Sequence, residues 1–183
     1  PNEPPATPRG TDIDYPYDER TLALFKQETG LTPEEDPALW KDWRSAQVTK
    51  LVAAIHDMVH QASTNAVLTA AVGSVHERAL HHFQDSRAWM AGGHVDAIIL
   101  MNYADDPQVV ADRIDAWMVE EPPVPVVPGL WFGRHREKTT EEAAQVVQRQ
   151  IEIAREKTGN FCIFAYSSLF GSADEGELTT QEE

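Results

Sequence analysis

The stretch HVDAIILMNYADD, His94 to Asp106, constrains this chain more than any other. Val95 to Met101 is almost continuously apolar and rich in branched side chains. A strand with one wet face alternates apolar and polar residues. A run without alternation predicts a strand buried on both faces, as in a parallel sheet. Polarity begins at Asn102 and Tyr103, and Asp106-Pro107 then supplies an N-cap side chain and a residue suited to the first helical turn. Strand, polar tip and helix make a βα unit, and α/β folds place their sites at the C-terminal tips of such strands.

The rest of the chain repeats this unit. Residues 1–16 hold five of the twelve prolines and read as a loop or extended arm. Asp18 caps a helix over about 19–29, with Leu22 and Phe25 inward and Gly30 as its stop. Asp36-Pro37 opens a second helix to about residue 62, with Trp40 and Trp43 in its first turns and Val48, Leu51, Val52, Ile55 and Val59 at helical spacing. Ala66–Val72 reads as the first strand, residues 73–82 as a polar loop, and residues 84–91 as a short helix ended by Gly92-Gly93. The strand 95–101 follows, then a helix over about 107–119 with Val110, Ile114 and Trp117 inward. Glu120 to Pro123 is a rigid turn, and Val124–Phe132 is a third strand whose prolines leave its boundaries open. Thr139-x-x-Glu142 is a capping box for a helix to about Lys157, with Val147, Ile151 and Ala154 inward and Gly159 as its end. Phe161–Tyr166 is the fourth strand, and the acidic tail from Ser172 is expected to be disordered. The strands start near residues 66, 95, 124 and 161, each gap matching one βαβ unit. Right-handed crossovers then make the four strands parallel neighbours.

Bulk properties exclude several partners. A net charge of −15 with no basic patch argues against nucleic acid and favours a neutral or cationic partner. No apolar run approaches the roughly 20 residues of a membrane span. Cys162 is the one cysteine and sits in an apolar run, so it reads as a core residue. The chain begins at Pro1 without a Met, which suggests processing or truncation.

In a parallel sheet, four tips converge at one end. They offer Gly73, Ser74 and His76; Asn102, Tyr103, Asp105 and Asp106; Trp131, Arg134 and His135; and Tyr166, Ser167 and Ser168. Aromatic rings beside amide, hydroxyl and Arg groups make a surface that can stack on a sugar ring and hydrogen-bond its hydroxyls. Such rings can equally close the end of a barrel. His76-Glu77 and His81-His82 match no metal-ligand spacing and read as a solvated loop, so no metal and no cofactor is expected. His56 and His60 share a helical face as surface or packing residues. Asp85 is either a helix cap or a ligand-facing carboxylate; Asp106 is a cap, and Asp105 is freer. Ser167-Ser168 lacks the G-x-S-x-G elbow, and there is no G-x-G-x-x-G or Walker motif.

An ordered set of motifs carries a family resemblance. These are Asp-Trp-Arg-x-x-Gln-Val-Thr (42–49), Phe-Gln-Asp (83–85), Trp89, residues 93–103, Pro128-Gly-Leu and Phe164-Ala-Tyr-Ser-Ser-Leu. Together they resemble the bacterial glycosyl-hydrolase-like family 10 domain over about residues 12–171. The resemblance implies an α/β fold: the C-terminal half, strands 5–8, of a TIM (β/α)8 barrel, four parallel strands with flanking helices. It implies an arm over 1–16, a half barrel over 17–171 and a tail over 172–183. It further implies hydrolysis of O-glycosidic bonds in a bacterial or environmental polysaccharide, at an extracytoplasmic location.

The family's principal catalytic Asp is expected upstream of Pro1, so this fragment alone should be inactive and should pair with its missing N-terminal half or with itself. Glycoside hydrolysis uses two carboxylates, and Asp85 and Asp105 are the candidates this chain offers. Asn102 and Tyr103 would position substrate, Trp131 and Tyr166 would stack or hydrogen-bond, and Ser74 and Arg134 complete the expected substrate-binding set. A non-catalytic carbohydrate-binding barrel is the alternative, motivated by the shortage of tip carboxylates. A complete flavodoxin-like domain binding an anion is a third reading.

Overall fold

The computed structural model describes residues 16–119, 121–135 and 137–165. They divide into two compact units. One comprises the chain up to Leu68 together with Val75–Val95, and the other comprises Thr69–Ser74 together with the chain from Asp96.

The first unit is helical. It contains α1 (Glu19–Thr29), α2 (Pro37–Ala62), α3 (His76–Leu80) and α4 (Ser86–Ala91). The helix ends follow local chemistry. Asp18 accepts from the Thr21 amide, Asp36 accepts from the Leu39 amide ahead of Pro37, and Gly30 ends α1 in the left-handed conformation at φ 78°. Phe25, Trp40 and Trp43 form the core of the α1–α2 pair, with the two indoles stacked at 5.4 Å. The Trp43 indole N–H donates to Glu28. The buried Arg44 guanidinium lies between the Trp40 and Phe83 rings, 4.7 and 4.5 Å from their centroids. The Trp89 indole donates to Thr49 Oγ1. The motif residues in 42–49 and 83–89 are therefore one cluster that fastens α2 to α4.

Two expectations fail in this unit. The stretch 73–82 is not simply a loop, because α3 occupies five of its residues. Leu51, expected at an inward position of α2, is 60% exposed, as is Met58 at 62%. The inward stripe of α2 is concentrated at its N-terminal end, at Trp40, Trp43 and Arg44.

The second unit is α/β. It holds β1 (Thr69–Gly73), β2 (Ala97–Met101), α5 (Pro107–Met118), β3 (Val126–Trp131), a 3-10 turn (Phe132–His135), α6 (Thr140–Thr158) and β4 (Cys162–Phe164). All strand pairs are parallel, and the order is β1-β2-β3-β4. Strand order equal to chain order means that the winding never reverses. This is the arrangement of half a TIM barrel. It overturns the flavodoxin-like reading, whose strand order must reverse at a switch point.

Pro128 sits inside β3, although mid-sheet proline loses a ladder bond. The Gly129 carbonyl accepts from the Asn102 amide of the β2 side. Pro128, one residue earlier, therefore addresses the β4 side, where pairing begins only at Gly129↔Cys162. No donor is missed.

Alternation sorts the sheet into two faces. Leu130 packs with Val110, Ala111 and Ile114 of α5 and with Ile153 and Ala154 of α6. Strand alternation and the register put Ile98, Leu100, Val126 and Ile163 on this same face. The other face carries Thr69, Ala71, Ile99, Met101, Val127, Gly129, Cys162 and Phe164. A Cβ at Gly129 would stand 2.6 Å from the Leu100 carbonyl oxygen, so the close approach of β2 and β3 requires glycine there. Cys162, expected in the core, is half-buried on this second face.

Candidate functional site

Parallel strands bring the C-terminal tips of β1 to β4 to one end of the sheet. The tips of β1 and β2 are held by buried polar contacts. At β1, the Ser74 carbonyl accepts from the Trp117 indole of α5 at 2.8 Å. At β2, Asn102 is buried, its Nδ2 donating to the Val110 carbonyl at 3.0 Å. Gln150 of α6, also buried, donates its Nε2 to the Ala104 carbonyl at 2.9 Å. Asp106 accepts from the Gln108 amide as the N-cap of α5. Ser74 and Asn102 were expected to meet substrate. Ser74 is buried, and the Asn102 amide instead straps the β2 tip to α5.

Above this framework stand the groups that solvent reaches in whole or in part. Asp105 is half exposed, and Arg134 Nε and Nη2 each lie 3.1 Å from its Oδ2. Tyr103 lies with its ring stacked on Phe164 at 5.7 Å and tilted against Trp131 at 5.7 Å. Burial holds the Tyr103 phenol above its ordinary pKa, so it remains an O–H donor at neutral pH. Phe164 is 52% exposed. The result is an aromatic platform from three strand tips beside one carboxylate and its guanidinium.

His135 ends the turn after β3. Its side chain is fully buried, with Nδ1 3.8 Å from Asp105 Oδ1. Burial pushes its pKa below the ordinary value, while the Asp105 charge pulls the other way.

Asp85 belongs to the helical unit. It accepts from the Ala88 amide as the N-cap of α4 and lies 3.8 Å from His76 Nε2. Its capping reading is the one realised. His76 is half-buried in α3, not part of a solvated loop, and burial lowers its pKa. Tyr166, Ser167 and Ser168, the expected fourth tip, lie outside the described residues, as do the arm to residue 15 and the acidic tail.

Phe164 and Gln150 escaped the sequence reading, which offered His135 at the third tip but not its burial. Phe164 takes the ring position at the β4 tip; its spacing of two from Cys162 marks the face. The burial of His135 and of Gln150 carries no sequence signal, since burial of a polar side chain is a tertiary property.

No helix among the described residues is long and apolar enough to cross a membrane. No curated protein and no solved structure matches the chain. Residues 11–150, most of the chain, match the family described as glycosyl hydrolase-like 10.

Proposed function

Because the chain belongs to the glycosyl hydrolase-like 10 family, we propose that its sheet unit is the glycan-binding part of a domain that hydrolyses O-glycosidic bonds of a polysaccharide. The observation that carries this is the platform of Tyr103, Trp131 and Phe164 next to the Asp105–Arg134 pair. Flat rings bind the apolar face of a pyranose, and the neighbouring polar groups bind its hydroxyls. Asp105 is the tip carboxylate available for chemistry, since Asp106 caps α5.

Hydrolysis needs a second carboxylate, about 5–5.5 Å away for retention or 6.5–9.5 Å for inversion. Asp85 is committed to capping α4, so the second group comes from strands beyond this chain. On this reading the chain alone binds glycan without cleaving it, its partner is the N-terminal half of a barrel, and its glycan is met outside the cytoplasm. The shortage of tip carboxylates also favours a second reading, a binding barrel without catalysis.

Affinity electrophoresis through gels containing neutral soluble polysaccharides tests the proposal. At least one polysaccharide should retard the chain, and Trp131→Ala should weaken that retention about tenfold, the value of one stacked ring. Absence of retardation by every neutral polysaccharide, or equal retardation of Trp131→Ala, overturns it. Release of reducing ends after addition of the complementary half separates the enzyme from the binding barrel.

A further inference from the structure

His135 is a burden that the glycan-binding reading leaves unexplained. Its ring is fully buried, and neither Nδ1 nor Nε2 makes a well-formed hydrogen bond among the described residues, the nearest polar groups being the Gln150 side chain and Asp105. A buried imidazole without a well-formed hydrogen bond costs stability, and an apolar ring or chain of similar size would cost less. Gln150 lies beside the imidazole, but its Nε2 donates to the Ala104 carbonyl. The charged groups near the ring are Asp105 from the β2–α5 loop, Arg134 within its own turn and Lys138 after it; Gln150 of α6 is uncharged. Both Arg134 contacts fall on Asp105 Oδ2, while Nδ1 of His135 faces Oδ1 at 3.8 Å. That gap is about 1 Å longer than a hydrogen bond. Because the Ala104 carbonyl is tied to α6 and Asp106 is tied as a cap, the backbone around Asp105 is fixed on both sides. Closing the gap needs only rotation of the Asp105 side chain.

We propose that His135 is a positioning residue for Asp105: its Nδ1–H takes Oδ1 as the carboxylate turns inward, so that Arg134 and His135 together fix the carboxylate plane from two sides. This rests on Asp105 being the working carboxylate of the tips. The neutral imidazole supplies the donor as its Nδ1–H tautomer, and a protonated ring supplies it as an ion pair. In both states the carboxylate stays an acceptor with its two oxygens assigned to different donors. The arrangement resembles the way a second group orients a catalytic side chain without touching substrate.

The test needs no glycan. Imidazole nitrogen resonances of the full chain are followed from pH 4 to 8 in the wild type and in Asp105→Asn. The pair predicts that the His135 midpoint moves downward in Asp105→Asn, because the favouring carboxylate is gone. Three-bond couplings report the Asp105 χ1 rotamer. It should be single in the wild type and in His135→Asn, which keeps a donor near the Nδ1 position, and averaged in His135→Leu. His135→Leu should melt no lower than the wild type. An unchanged His135 midpoint overturns the proposal. So does an Asp105 rotamer that is equally ordered in His135→Leu and His135→Asn. If His135→Leu does not fold, the Asp105→Asn titration decides alone, since that residue is half exposed. A chain that binds no polysaccharide yet shows the coupled titration would sink the glycan reading and leave this pair standing.

Discussion

The two faces of the four-stranded sheet are made of the same kind of residues and meet different surroundings. Towards α5 and α6, Ile98, Leu100 and Leu130 are fully buried. On the opposite face, Met101 is 36% and Phe164 52% exposed. Apolar character in the strands thus shows which surfaces are suited to cover, while the elements packed on them decide which are covered. The helix-facing side is closed by residues this chain carries. The second face has the composition of a barrel interior and meets solvent both along β1, at Thr69 and Ala71, and at the C-terminal end, where the aromatic platform begins.

The largest test of that contrast is Leu130→Ala. It removes a fully buried side chain at the centre of the α5–α6 cluster and should cost about 2–5 kcal/mol in denaturant unfolding. Gly129→Ala, on the second face but against the Leu100 carbonyl, should cost about 1–3 kcal/mol, because backbone must move. Acid gives a smaller, graded effect. His135 is neutral in the folded chain and its pKa lies below the ordinary 6.5. The unfolded chain therefore takes the proton first. Stability from this group is full above pH 6.5 and falls as pH drops from 6.5 towards the lowered folded value. The fall should be shallower in His135→Leu, read as the melting temperature at successive pH values. Smallest is Met101→Ala on the exposed face, expected to cost below about 1 kcal/mol. Should Met101→Ala cost as much as Leu130→Ala, the distinction between the faces collapses.

Local chemistry was the legible part of this fold. Asp18, Asp36, Asp106 and the Thr139–Glu142 capping box start helices where the sequence places them, and Gly30 and Gly159 end them. Each of these rests on a hydrogen bond between residues two to four positions apart. Strand limits were less legible. Ala66 to Leu68 are apolar but precede β1, because a strand begins where its neighbour offers a ladder: here at Thr69↔Ala97. α3 was hidden because five residues cannot display a helical stripe.

The site divides in the same way. Tyr103, Asp105, Trp131 and Arg134 follow from a parallel sheet with polar tips. The inward turn of Asn102 does not, because a polar residue at a strand end can point either to solvent or to a helix carbonyl. The burial of His135 does not either, because it depends on where α6 and the β2–α5 loop pack and not on the residues beside it in sequence.

The bond from Gln150 to the Ala104 carbonyl spans 46 positions of sequence. With Asn102 donating to Val110 and Asp106 capping α5, it anchors the β2–α5 connection at three successive points. Most surface connections accept inserted residues at small cost. This one should not: a single insertion between Met101 and Asp106 would put at least one anchor out of register and carry Asp105 away from Arg134. Variation in loop length, the usual means by which such sheets acquire new specificities, is therefore closed at this tip, and any diversity there has to come from side-chain identity alone.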